Sequence, residues 1–143
     1  MTTLSSHEIL RFSIDHKEMR VRHVSINYHR VIISLRDSAA ERNLWEVANI
    51  RGQTRLTRFP KLHRVGFGGV FSHRFEAKIT QGLFDKVVAA HRTAIVATVR
   101  DRVALLEREA AAADHDDADL LVERRREMLH VAGRLFPEDF APT

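Results

Sequence analysis

The stretch from Thr80 to Phe136 constrains this chain most. It reads as one long helix, a short acidic turn and a second helix folded back. Phe84, Val88, Ile95, Val99, Val103, Leu106 and Ala110 recur every three or four residues, with His91 filling the slot between Val88 and Ile95. That spacing places them on one helical face. Thr80 can cap the start, because its hydroxyl accepts a hydrogen bond from an otherwise orphan backbone N–H. From Thr80 to Ala113 there is no Pro, and after Gly82 no Gly. Propensity alone does not hold so long a helix, so it needs a packing partner.

The partner follows in sequence. Asp114-His115-Asp116-Asp117 breaks the apolar pattern, and a second helix is expected from about Asp117 to Phe136, stopped by Pro137. Leu120, Leu121, Met128, Val131, Ala132, Leu135 and Phe136 form its apolar side. The short link favours an antiparallel hairpin. Its acidic start and Arg134 in its last turn suit the helix dipole.

At 143 residues the chain is expected to be a single domain with a real core. It has no cysteine, which removes disulfides and thiolate metal sites and points to a cytoplasmic protein. The opening Met-Thr-Thr-Leu-Ser-Ser lacks the basic and apolar regions of a signal peptide. No apolar run approaches a membrane span, so no membrane partner is expected.

Charge divides the chain. Residues 1–79 hold 14 Lys and Arg against 7 Asp and Glu, a net +7, and residues 80–143 hold 9 against 12, a net −3. Arginine supplies 19 of the 23 basic residues. Such a bias follows from a GC-rich genome as readily as from function. In functional terms, guanidinium forks suit phosphate and carboxylate, and a basic half suits a polyanion.

The basic half reads as strand-rich. Leu10, Phe12 and Ile14 alternate with polar residues and favour a strand; a helix capped by Ser5 with Glu8 is the rival. Val24, Ile26 and Tyr28, then Val31, Ile33 and Leu35, alternate as strands, with a bulge or tight turn at His29-Arg30. Ser38-x-x-Glu41 has the form of a capping box, and the apolar residues Leu44 to Ile50 before Gly52 complete an expected helix over 38–51. Residues 53–59 form a short strand candidate. From Val65 to Ile79 apolar residues hold the odd positions, with His73 among them, which predicts one long bent strand eased by Gly68-Gly69.

Arg51 to Lys78 is the functional candidate. Seven basic residues face one acid, with Phe59, Phe67, Phe71 and Phe75 interleaved. Cations that track phosphates and rings that stack on bases suit nucleic acid. Arg51, Arg55, Arg58, Lys61, Arg64 and Arg74 are the expected phosphate contacts. The plainer account puts every Phe in the core and leaves the basic residues to solvate the sheet.

Gly66-Phe67-Gly68-Gly69-Val70-Phe71 resembles the central motif of RNA-recognition-motif domains. It departs from that motif at Gly69, where an aromatic is missing, and in a final aromatic one position early. Val31 to Gly52 is similar to the opening of ribbon-helix-helix DNA-binding proteins, but Pro60 sits where their second helix would continue. His91 with His115-Asp116 resembles part of the HD-type phosphohydrolase pattern, without its later Asp. A solvated turn and an acidic helix start account for the acids near His115, and no histidine spacing matches a metal set. No Gly-x-Ser-x-Gly, P-loop or dinucleotide turn is present, so no catalytic residue, metal or cofactor is assigned.

The sequence thus predicts an α+β domain: an N-terminal antiparallel sheet with one helix, followed by a long C-terminal antiparallel helical hairpin. Residues 1–79 form the basic half, 80–136 the hairpin and 137–143 a tail. The expected function is a non-enzymatic nucleic-acid-binding or regulatory module for DNA or RNA. The alternative is a protein-binding adaptor, inhibitor or assembly subunit acting through 80–136. The hairpin has more apolar surface than one partner helix covers, which suggests a homodimer.

Overall fold

A computed structural model describes residues 2–37, 43–60, 63–65, 69–71 and 74–140. Its centre is a sheet whose strands alternate between a buried and a more open side. The strands are β1 (Thr2–Thr3), β2 (Arg20–Asn27), β3 (Arg30–Arg36), β4 (Asn43–Ile50), β5 (Gln53–Pro60) and, after a separate two-stranded ribbon of β6 (His63–Val65) and β7 (Gly69–Phe71), β8 (Phe75–Lys78). The main sheet runs in the order β1-β8-β5-β4-β3-β2. All its pairings are antiparallel except β1 with β8, which is parallel.

One row shows how the core forms. Val24, Ile33, Val47, Leu56 and Ala77 lie side by side across five strands. Ile33, Val47 and Leu56 are fully buried, each contributing about 1.5–3 kcal/mol of apolar burial. The helices pack on this side. They are α1 (Ser6–Asp15), α2 (Gln81–Ala90), α3 (Arg92–Ala112) and α4 (His115–Leu135). Phe12, Phe84, Val87, Ile95, Val99, Ala132 and Phe136 complete one buried cluster with the sheet. Helices α3 and α4 pack together, and Glu107 accepts from Arg125 between them at 2.6 Å.

The mixed α+β class stands, but four local expectations are corrected. Residues 6–15 form a helix, not a strand. Ser5 and Glu8 make a reciprocal capping box. The buried stripe is Ile9, Phe12 and His16, whereas Leu10 and Ile14 are about 60% exposed (59% and 62%); a strand would have put Leu10, Phe12 and Ile14 on one face.

The expected helix over 38–51 is also overturned. Its described part, Asn43–Ile50, is strand β4, and Ser38 to Arg42 lie outside the described residues. β4 sits between β3 and β5, so side chains of both parities are shielded. Trp45 and Val47 are buried on one side and Ala48 on the other. A central strand of this kind reads as an apolar run without clean alternation.

Third, residues 65–79 are not one strand. β6 and β7 pair antiparallel with Val65 opposite Gly69, and β8 joins the main sheet. Residues 66–68 lie outside the described set. That register sets odd residues against odd ones, so a hairpin preserves the alternation that had suggested an unbroken strand.

Fourth, the long helix is broken at His91, whose backbone departs to φ −109°, ψ 18°. The break needs no Pro or Gly. The His91 side chain reaches out of the helix to the His16 carbonyl, which lies beside the end of α1. On α4, Leu120 is exposed at 57% instead of joining the apolar side.

Candidate nucleic-acid interface

The side of the sheet away from the helices is built from the alternate residues. One row across it is His23, Ser34, Glu46, Thr57 and Glu76. Beside it run Ser25, Ile32, Ala48, Arg55 and Lys78. Arg20, Arg36, Leu44 and Phe59 form a third row. None of these side chains belongs to the buried cluster. Small Ser34 and Ala48 lie recessed near the middle, and Arg20, His23, Arg30, Arg74 and Lys78 are exposed around it.

Two carboxylates temper this charge. Glu76 forms ion pairs with Arg55 at 3.6 Å and Arg74 at 3.4 Å. Glu46 is half-buried among its neighbours. Burial pushes its carboxyl above the ordinary range, and the nearby His23 and Arg74 only partly oppose this. The described part of the face carries one Phe, Phe59, itself half-buried. Among the described residues this face offers charge rather than rings.

The six basic residues expected from the sequence do not share one surface. Arg55 and Arg74 meet at Glu76 on the open side. Arg58 has the opposite strand parity and lies with Trp45 and Phe75 on the helix side. Its guanidinium sits over Phe75 at 4.6 Å and Trp45 at 5.7 Å, and donates to Glu8 of α1 at 2.7 Å. Arg58 therefore clamps α1 to the sheet. Arg51 is at the far end, in the turn between β4 and β5. The backbone of Arg64 pairs with Val70, and Lys61 lies outside the described residues.

Arg20, His23, Arg30 and Lys78 were absent from the sequence assignment. Strand parity carries the signal for Arg30, two residues before Ile32 and four before Ser34, and for Lys78, cross-strand to Arg55. His23 was hidden by a bulge between Val21 and His23, which resets the alternation of β2.

The histidine-acid resemblance does not assemble. His91 is buried against the His16 carbonyl, whereas His115 is exposed at the start of α4, 3.5 Å from Asp119. Among the described residues no group of three His, Asp or Glu side chains could hold a metal ion. Nor is any described helix long and apolar enough to cross a membrane. The strand at 43–50 also removes the helix required by the ribbon-helix-helix resemblance. Of the six-residue match to the RNA-recognition motif, residues 66–68 lie outside the described set and Gly69–Phe71 form β7. No protein-family model, curated protein or solved structure matches this chain.

Proposed function

We propose that the protein is a small non-enzymatic nucleic-acid-binding or regulatory module that contacts phosphates through the open side of its sheet. One observation carries this reading. All four helices lie on one side, and the other presents Arg20, His23, Arg30, Arg55, Arg74 and Lys78 against Glu46 and Glu76. Such a surface binds by neutralising phosphates and releasing counterions, so its affinity depends on salt.

The test is fluorescence anisotropy of labelled duplex DNA and single-stranded RNA across a salt series. If about five cations engage a duplex, log affinity falls with log salt at a slope of about −4 to −5. An Arg20→Glu/Arg55→Glu/Lys78→Glu variant of unchanged fold should lose this binding. Absence of binding by the folded wild-type protein at low salt removes the proposal. Arg58 is the wrong residue to test, because its loss would release α1.

A second reading has its own observation. Leu120 is 57% and Val122 44% exposed near the start of α4, two apolar side chains on different faces of the helix, each open to a protein partner or a second copy through 80–136. Light scattering across a concentration series tests it. A dimer that becomes monomeric in Leu120→Asp/Val122→Asp supports this reading, and a wild-type monomer at all concentrations removes the homodimer.

A further inference from the structure

At one end of the sheet two hairpin turns lie side by side. Tyr28 and His29 link β2 to β3, and Arg51 and Gly52 link β4 to β5. The last turns of α4 close over them. Between these elements is a cleft of about 290 Å³ lined by Tyr28, His29, Arg30, Asn49, Arg51 and Arg134, among others. No carboxylate lines it. Among the described residues Arg30, Arg51 and Arg134 make no ion pair. Glu127, one turn back on α4, is engaged by the Tyr28 amide at 2.7 Å.

The walls are fixed. Asn27 Oδ1 accepts from the His29 and Arg30 amides at 2.9 and 3.0 Å, and Asn49 Oδ1 from the Gly52 amide at 2.9 Å. The Arg51 amide donates to the His29 carbonyl at 2.8 Å and joins the two turns. Arg51 is the only described non-glycine residue with positive φ, at 53°. Asn or Gly would hold that position with less strain. The two-residue hairpin requires positive φ at Arg51 and Gly52, and it sets this long cation at the mouth of the basic cleft. The end of α4 contributes partial negative charge that Arg134 offsets, so Arg51 remains as surplus positive charge, beside Arg30 where the open side of the sheet meets the cleft.

We propose that this cleft binds a terminal phosphate group, a dianion with three free oxygens for guanidinium forks. Its volume lies at the small end of ligand sites and accommodates a phosphate with part of its sugar. Tyr28, half exposed and edge-on to His130 at 5.7 Å, stands at the rim as a surface for the attached group. The inference rests on the phosphate-binding reading of the sheet and narrows it: the open side tracks the strand, and the cleft takes its phosphorylated end.

The experiment compares a 5′-phosphorylated oligonucleotide with the same sequence bearing a 5′-hydroxyl. Wild-type protein should bind the phosphorylated strand about tenfold more tightly. In Arg51→Asn, a residue suited to the left-handed turn, the preference should fall to near unity, and in the distant Arg102→Gln it should persist. Thermal melts establish that Arg51→Asn is folded. Equal binding of the two oligonucleotides overturns the cleft and leaves the salt-dependent face standing. Calorimetry with inorganic phosphate and a nucleoside monophosphate forms the second arm. If either binds as tightly as the strand end and loses affinity in Arg51→Asn, the site holds and its source is a free phosphate.

Discussion

Nε2 of His91 lies 2.8 Å from the carbonyl oxygen of His16. Because a carbonyl only accepts, this nitrogen carries a proton and donates it. The bond ties the break between α2 and α3 to the 3-10 turn His16–Glu18 that follows α1. The two imidazoles lie tilted at 53° with centroids 5.7 Å apart, and Phe12 lies 5.6 Å from His16.

His16 is 1% exposed, and burial pulls its pKa below the ordinary 6.5; His91 and then Lys17 add to the depression. The native state therefore binds fewer protons than the unfolded chain once the pH falls below about 6.5. Stability rises with pH wherever the unfolded state binds more protons, so it must fall as pH drops through that window. Urea denaturation between about pH 7.5 and 5 should show a declining midpoint. His16→Leu should flatten the decline, and an unchanged slope in that variant would refute the assignment.

Glu46 titrates with the opposite consequence. Its carboxyl is pushed above 4.5 by burial, so the native state holds its proton more tightly than the unfolded chain. Ionised Glu46 thus weakens the fold at neutral pH, and the penalty fades as pH falls through its raised pKa. Glu46→Gln should raise the neutral-pH melting temperature relative to wild type. The gain should vanish in melts below about pH 4.5.

The Arg58–Glu8 contact is a clamp whose parts are not independent. Arg58→Ala removes packing over Phe75 and Trp45 and leaves Glu8 without its cation, at an expected cost of about 2 kcal/mol. Glu8→Ala also breaks the capping box of α1, at about 1 kcal/mol. A double-mutant cycle on denaturant unfolding should give a coupling of at least about 0.5 kcal/mol. Additivity would show that the ion pair contributes nothing of its own.

At Arg51 binding and stability should move in opposite directions. Relieving a left-handed non-glycine residue is worth about 1 kcal/mol. Arg51→Asn should therefore melt about 4 °C higher than wild type by calorimetry, although it loses a basic side chain. A lower melting temperature would mean that the arginine holds the turn together.

How much of this was legible depended on which pattern each segment obeyed. In 80–136 the three-and-four spacing persists for many turns; α4 falls close to its expected span, and α2 with α3 covers that of the long helix apart from the break at His91. Val31, Ile33 and Leu35 share the core side of β3, as their spacing of two predicts. Asn43–Ile50 obeys no single period because neighbours shield it on both sides, so local capping signals upstream carried too much weight. In residues 6–15 two periods competed over barely three turns, and the burial of Phe12 and His16 decided between them.

The site was legible as charge but not as geometry. Composition located the basic half. It could not show that Arg55 and Arg58 point to opposite sides, since that requires the strand assignment first. The cleft beside Arg51 was further out of reach. It joins residues 28–30, 49–52 and 131–135, and 51 had been placed at a helix end.

The parallel pairing of β1 with β8 bears on the order in which the molecule assembles. Thr2 pairs with Phe75, and the Leu4 amide bonds to the Glu76 carbonyl at 3.0 Å. The first strand of the chain has no template until more than seventy residues have been made and β8 has docked on β5. Closing so long a loop for so few bonds is entropically unrewarding early in folding. Residues 2–4 should therefore seat last during refolding and release first on warming. The exchange rate of the Leu4 amide would then report on the state of β8 at the sheet edge.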